Sequence, residues 1–247
     1  MDTGIKPLIF KPLSFGRRNK MTPNRNNNNH SLPELSFVKE MTVNVNIAIF
    51  VIIFGILSIA LSLVPIVGAI FSVLTSALQI VVMYQWTAAL NTNIENSLKI
   101  LAFAMDNNAS ESTPGNLRMY TNQLQSSRID MLWFWLHLAF YIISGVLINA
   151  LFVTLASIMS FIFLGIFLQS IFNTEERLQG AKDLFYGIYL QGDNMAMRRI
   201  KKRNFGLVIL FTIITLGIYW WFLLINHSKE INDFIEADVY NRSLLKK

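Results

Sequence analysis

Residues 198–234 read RRIKKRNFGLVILFTIITLGIYWWFLLINHSKEINDF, a dense basic run set against a stretch, 204–228, that carries no charge. The roughly 22 apolar positions in that stretch would form a helix of about 33 Å, enough to cross a hydrocarbon core of about 30 Å. The pattern predicts a last transmembrane span over 204–226, with Arg198, Arg199, Lys201, Lys202 and Arg203 at its mouth. These five side chains are expected to set the span's orientation. They are also the candidate ligands for a lipid headgroup, at about 1 kcal/mol per basic residue near an anionic leaflet.

The rest of the chain has the same character. Of its 247 residues 53% are hydrophobic and only 15% are charged, against about 25% charged in globular domains, and the mean hydropathy is +0.44. The charges are segregated: no Asp, Glu, Lys or Arg lies between Glu40 and Glu95, between Asp130 and Glu175, or between Arg203 and Lys229. With no cysteine there is no disulfide framework, thiolate metal site or cysteine nucleophile. The net charge of +6 comes from basic residues flanking apolar blocks, so topology and anionic lipid explain it and nucleic acid is not an expected partner.

Residues 1–40, with Pro7, Pro12, Pro23, Pro33 and the run Asn26 to Asn29, are expected to be a disordered cytoplasmic tail. A hairpin of two spans, 43–64 and 66–88, follows, turned at Pro65, which disfavours helical geometry at Val64. Gly68, Ser72 and Ser76 form a small-residue stripe on its second arm. Residues 91–107 then predict an amphipathic helix, distinct from the span, at the membrane surface or under the bundle, and 107–116 a loop. The uncharged block 131–172 would be about 63 Å long as one helix, so it must fold back into spans 131–149 and 152–172. A second surface helix over 174–190 follows, and the tail 227–247 predicts a third.

The fold class expected is therefore all-α, a polytopic helical membrane protein of about five transmembrane helices with amphipathic surface helices. The Lys and Arg counts put the N-terminus and the polar connections in the cytoplasm of a cell-membrane protein. Five spans would leave the C-terminal tail outside, whereas a re-entrant last span would bring it back to the cytoplasm.

The step Thr215, Leu216, Gly217, Ile218, Tyr219, followed by Trp220 and Trp221, resembles the hallmark of a domain-of-unknown-function family of small prokaryotic membrane proteins. Residues 54–105 resemble, more faintly, a second uncharacterised prokaryotic family with a helical hairpin and an Asn-rich helix. These resemblances imply a multispan membrane protein and no particular activity.

No G-x-S-x-G, Walker A or HExxH motif is present, and no Asp or Glu falls inside a predicted span. The expectation is a protein that is not an enzyme, with no catalytic residue, cofactor or metal. His137, inside the third predicted span, reads as a packing group or as a proton or ligand site. Gln79, Asn149, Thr154, Ser157, Ser160 and Gln169 read as interhelical hydrogen-bonding groups or as the lining of a pathway. The leading function is thus a structural, assembly or lipid-interacting membrane component, with a small oligomeric channel or transporter lined by Gln79, Asn149 and Ser157 as the alternative. The partners expected are membrane lipids, other membrane proteins or further copies of the chain.

Overall fold

The computed structural model describes residues 38–107, 114–190, 196 and 198–244. The expected tail over 1–40 lies almost wholly outside these residues, as does most of the expected loop 107–116. The described chain is all helical, with α1 (Val45–Ala60), α2 (Pro65–Asn107), α3 (Pro114–Ser126), α4 (Leu132–Val146), α5 (Ala150–Tyr189), α6 (Phe205–Ile214) and α7 (Ile218–Leu244).

One pattern occurs three times: a short apolar helix, a tight turn, and a longer helix that starts apolar and ends polar. The pairs are α1–α2, α4–α5 and α6–α7. Asn44 caps α1 by accepting from the Asn46 N–H at 3.1 Å, and Pro65 opens α2, where its missing N–H costs nothing. Asn149 caps α5, its side chain accepting from the Leu151 and Phe152 N–H groups at 3.0 and 3.4 Å.

The third turn lies where the sequence predicts an unbroken span. α6 ends in a Schellman motif: the Gly217 N–H donates to the Thr212 carbonyl at 2.7 Å and the Leu216 N–H to that of Ile213 at 3.1 Å. Leu216 and Gly217 both take positive φ, 52° and 92°. The Thr215 hydroxyl donates to the Phe211 carbonyl and accepts from the Tyr219 N–H, so one side chain closes α6 and opens α7. The expected span over 204–226 is thus two helices, because one threonine and one glycine inside an apolar run look the same in sequence whether the helix turns there or continues.

The long helices also correct the expected surface helices. Residues 91–107, 174–190 and the described part of 227–247 are continuations of α2, α5 and α7, which run about 64, 60 and 40 Å. Two helices, Pro65–Ala102 and Ala150–Gly187, are long and apolar enough to cross a membrane, whereas α1, α4 and α6 are apolar but shorter, so the expected count of about five is not reached by that measure.

Cross-links set the helices' register. Trp86 Nε1 donates to Ser228 Oγ at 2.8 Å, and Lys182 reaches Asp238 at 2.7 Å, so α2, α5 and α7 run parallel with their apolar starts at one end. α7 takes about three turns from its start to Ser228 while α2 takes about six to Trp86, so the third tip stops about 16 Å short of the first. α1 runs antiparallel to α7: a Cβ at Gly55 would lie 2.7 Å from the Trp221 ring, while Val43 and Asn232 exchange hydrogen bonds at 2.7 and 2.8 Å. Trp86, Leu90, Ile94, Leu124, Ile171, Leu178 and Ile231 fill the core at the polar end. The tips are bare, with Leu63, Ile148 and Leu216 at 93%, 100% and 93% exposed.

Gly217→Val is expected to lower stability in detergent by about 1–2 kcal/mol, because a β-branched residue must take a left-handed backbone. Gly145→Ala, a helical site with nothing near its absent Cβ, should leave the melting temperature unchanged or slightly raised.

Candidate functional site

At the polar end, four charged side chains are buried together. Lys182 of α5 donates to Asp238 Oδ1 of α7 at 2.7 Å and to Ser97 Oγ of α2 at 2.5 Å. Tyr186 donates its hydroxyl proton to Asp238 Oδ1 at 2.7 Å, and Asn93 Nδ2 donates to Oδ2 at 2.9 Å. Arg242, one turn on, pairs with Asp238 and reaches Glu40 Oε1 at 2.5 Å. Two positive and two negative groups therefore neutralise one another where each alone would cost several kcal/mol to desolvate. Burial works to raise the Asp238 carboxyl, but the Lys182 ammonium and Arg242 guanidinium prevail and hold it well below the usual carboxylate range.

A second buried group lies nearer the apolar end. His227 sits edge-on to Trp86 and Phe172, ring centroids 4.5 and 5.7 Å away. Its Nδ1 is 3.0 Å from Arg203 Nη1 and its Nε2 is 2.9 Å from Glu175 Oε1. A guanidinium only donates, so Nδ1 accepts from Arg203, while Nε2 and Glu175 Oε1, both buried, approach without the alignment of a hydrogen bond. Arg203 also pairs with Glu230 at 2.8 Å. Glu175 reaches His227 from another helix, a juxtaposition that no spacing in the sequence indicates.

The five basic residues proposed as headgroup ligands form a strap ahead of α6, and each faces a carboxylate. Arg198 meets Asp233 and Glu236, Arg199 meets Asp183, Lys202 meets Glu176, and Lys201 and Arg203 meet Glu230. The strap thereby clasps α5 to α7. Lys201 and Lys202 keep side chains 81% and 77% exposed, which leaves their ammonium groups open to solvent or headgroups.

Among the apolar halves of the helices lies a cavity of about 470 Å³, with polar lining that includes Ser76, Gln79, His137, Ser157 and Ser160. His137 Nδ1 lies 2.9 Å from Ser160 Oγ and 3.0 Å from the Ser160 carbonyl, which joins α4 to α5. Of the three residues proposed to line a pathway, Gln79 and Ser157 meet here. Asn149 does not, because it is spent on capping α5 at a hairpin tip. Thr154 and Gln169 bond within their own helix, to the Ala150 carbonyl and to Asn173. Trp220 lines the cavity and Trp221 packs on Gly55, so both rings serve inside the bundle. Among the described residues no three His, Asp or Glu side chains are placed to hold a metal ion.

Residues 203–245, under a fifth of the chain, match a family described as a domain of unknown function, DUF4234. The matched stretch runs from the end of the strap through the α6–α7 hairpin. It supplies Asp238, Arg242, His227 and Glu230 to the two buried clusters, and their partners Lys182, Asn93, Glu175 and Glu40 lie outside it. No curated protein and no solved structure matches the chain.

Asp238→Asn should cost about 3–5 kcal/mol at pH 7, since it strands the buried Lys182 ammonium and leaves Arg242 with Glu40 alone, and Lys182→Met together with Asp238→Leu should recover most of that loss. Because the folded value for Asp238 is lowered, its contribution is complete above the unfolded value of about 3.9 and fades as pH falls below it. Melting curves in detergent from pH 7 to pH 3 check both, with Asp238→Asn lacking this part of the acid sensitivity.

Proposed function

We propose that the protein is a non-enzymatic component of the cell membrane, anchored from the cytoplasmic face by three apolar hairpins and presenting a helical base to lipids and membrane-protein partners. The observation that carries this reading is the inversion of the usual burial pattern. Large apolar side chains are exposed along α1, α4, α6 and the starts of α2 and α5, while ion pairs are buried at the other end. In water such exposure forgoes about 25 cal/mol per Å² of apolar surface; in hydrocarbon it costs nothing. The exposed lysines of the strap suit contact with anionic headgroups. With α6 only about 15 Å long, the third hairpin enters without crossing, which returns the C-terminal helix to the cytoplasmic side.

Cysteine labelling tests the arrangement directly, since the chain has no cysteine. Ser126→Cys and Ser243→Cys should both resist an impermeant maleimide in intact cells and react after permeabilisation. Labelling of Ser243→Cys in intact cells would refute the one-sided anchor.

The cavity lined by Gln79, His137 and Ser157 favours a second reading, a small oligomeric channel or transporter. On that reading liposomes carrying the protein pass a solute, and Gln79→Leu reduces the flux several-fold. On the leading reading they show neither solute flux nor hydrolase or transferase turnover.

A further inference from the structure

A groove of about 660 Å³ runs along one face of α5, separate from the strap and from the buried charge clusters. Its floor changes character along the helix. Ile162 and Ile166 line one end, Gln169 and Asn173 the middle, and Arg177 the other end, a length of about 22 Å. Residues three and four apart share a helix face, so this is one continuous stripe running from apolar to polar to cationic. The Phe161 and Phe205 rings, 6.5 Å apart, wall the apolar end, and Arg128 joins Arg177 at the other.

Arg177 is exposed and has no carboxylate partner among the described residues. Its only side-chain hydrogen bond among the described residues is a long one, 3.5 Å, to the Ser126 carbonyl. That sets it apart from the strap, where every charge is matched. Arg128 pairs with Glu95 at 2.6 Å through Nη2, which leaves other guanidinium donors free. Side chains on a helix lean toward its N-terminus, so Arg177 leans toward Asn173 and the apolar end of the groove.

A soluble anion would use only the arginine end, and a neutral apolar molecule only the isoleucine end. We propose that the groove holds one anionic glycerophospholipid, its phosphate on Arg177 and Arg128 and one acyl chain along Ile162, Ile166 and the Phe161–Phe205 wall. Planar guanidinium donors suit phosphate oxygens, and the order of head and chain along α5 matches that of a lipid in the cytoplasmic leaflet. The inference rests on the membrane reading above.

The test uses the full chain in nanodiscs of phosphatidylcholine containing a minor fraction of phosphatidylglycerol, with retained lipid measured by native mass spectrometry. The wild-type protein is expected to keep one phosphatidylglycerol. Arg128→Gln with Arg177→Gln should reduce retention about ten-fold, while Lys201→Gln with Lys202→Gln leaves it unchanged. Ile166→Trp, or Ile162→Trp should the first fail to fold, should reduce it as well by filling the chain's place. Equal retention in the double arginine variant overturns the proposal. So does displacement of the lipid by inorganic phosphate with no effect of either tryptophan, which would mark a soluble-anion site. Recovery of the chain in the soluble fraction without detergent would instead refute the membrane reading itself, before any lipid is measured.

Discussion

The buried Asp238 carboxylate is the contact on which the arrangement of the long helices depends. It receives Lys182 from α5, Asn93 from α2 and Arg242 from its own helix, and through Arg242 it reaches Glu40 ahead of α1. Hydrophobic contact alone tolerates sliding of one helix on another. A carboxylate with four donors does not, since any shift strands a buried charge. One residue thus sets the register of three helices, and with it the depth at which the α6–α7 tip stops.

The repeated short-then-long hairpin follows from what each end must do. In the apolar halves the turns are closed locally, by Asn149, Pro65 and the Schellman motif at Gly217. In the polar halves water competes for hydrogen bonds, and the helices associate by burying Trp86, Leu124, Ile171 and Ile231. Each long helix carries both regimes without a break, so each hairpin is continuous with the base.

The positive charges divide into two kinds. Those of the strap are matched by carboxylates on α5 and α7, which gives them a mechanical duty whatever they meet outside. Arg177 has no such partner among the described residues and stands at the polar end of a groove whose other end is apolar. The cavity at His137 is a mostly apolar chamber with a few polar groups, and the rings of Phe161 and Phe205 line both it and that groove.

From the sequence by itself came the helical class, the three uncharged blocks, and the turns at Pro65 and near Asn149, because long apolar runs and a proline have few other readings. The reversal at Leu216 and Gly217 was hidden, since an apolar residue in the left-handed region leaves no mark in composition. The surface helices were mistaken for separate elements, as a drop in hydropathy looks the same whether or not the backbone continues. Only tertiary structure brought Glu175 to His227, Lys182 to Asp238, and Arg128 to the Arg177 end of the groove. Periodicity reports which face of a helix is apolar. Which charge on another helix meets it depends on register, and register is decided by packing between segments far apart in the chain.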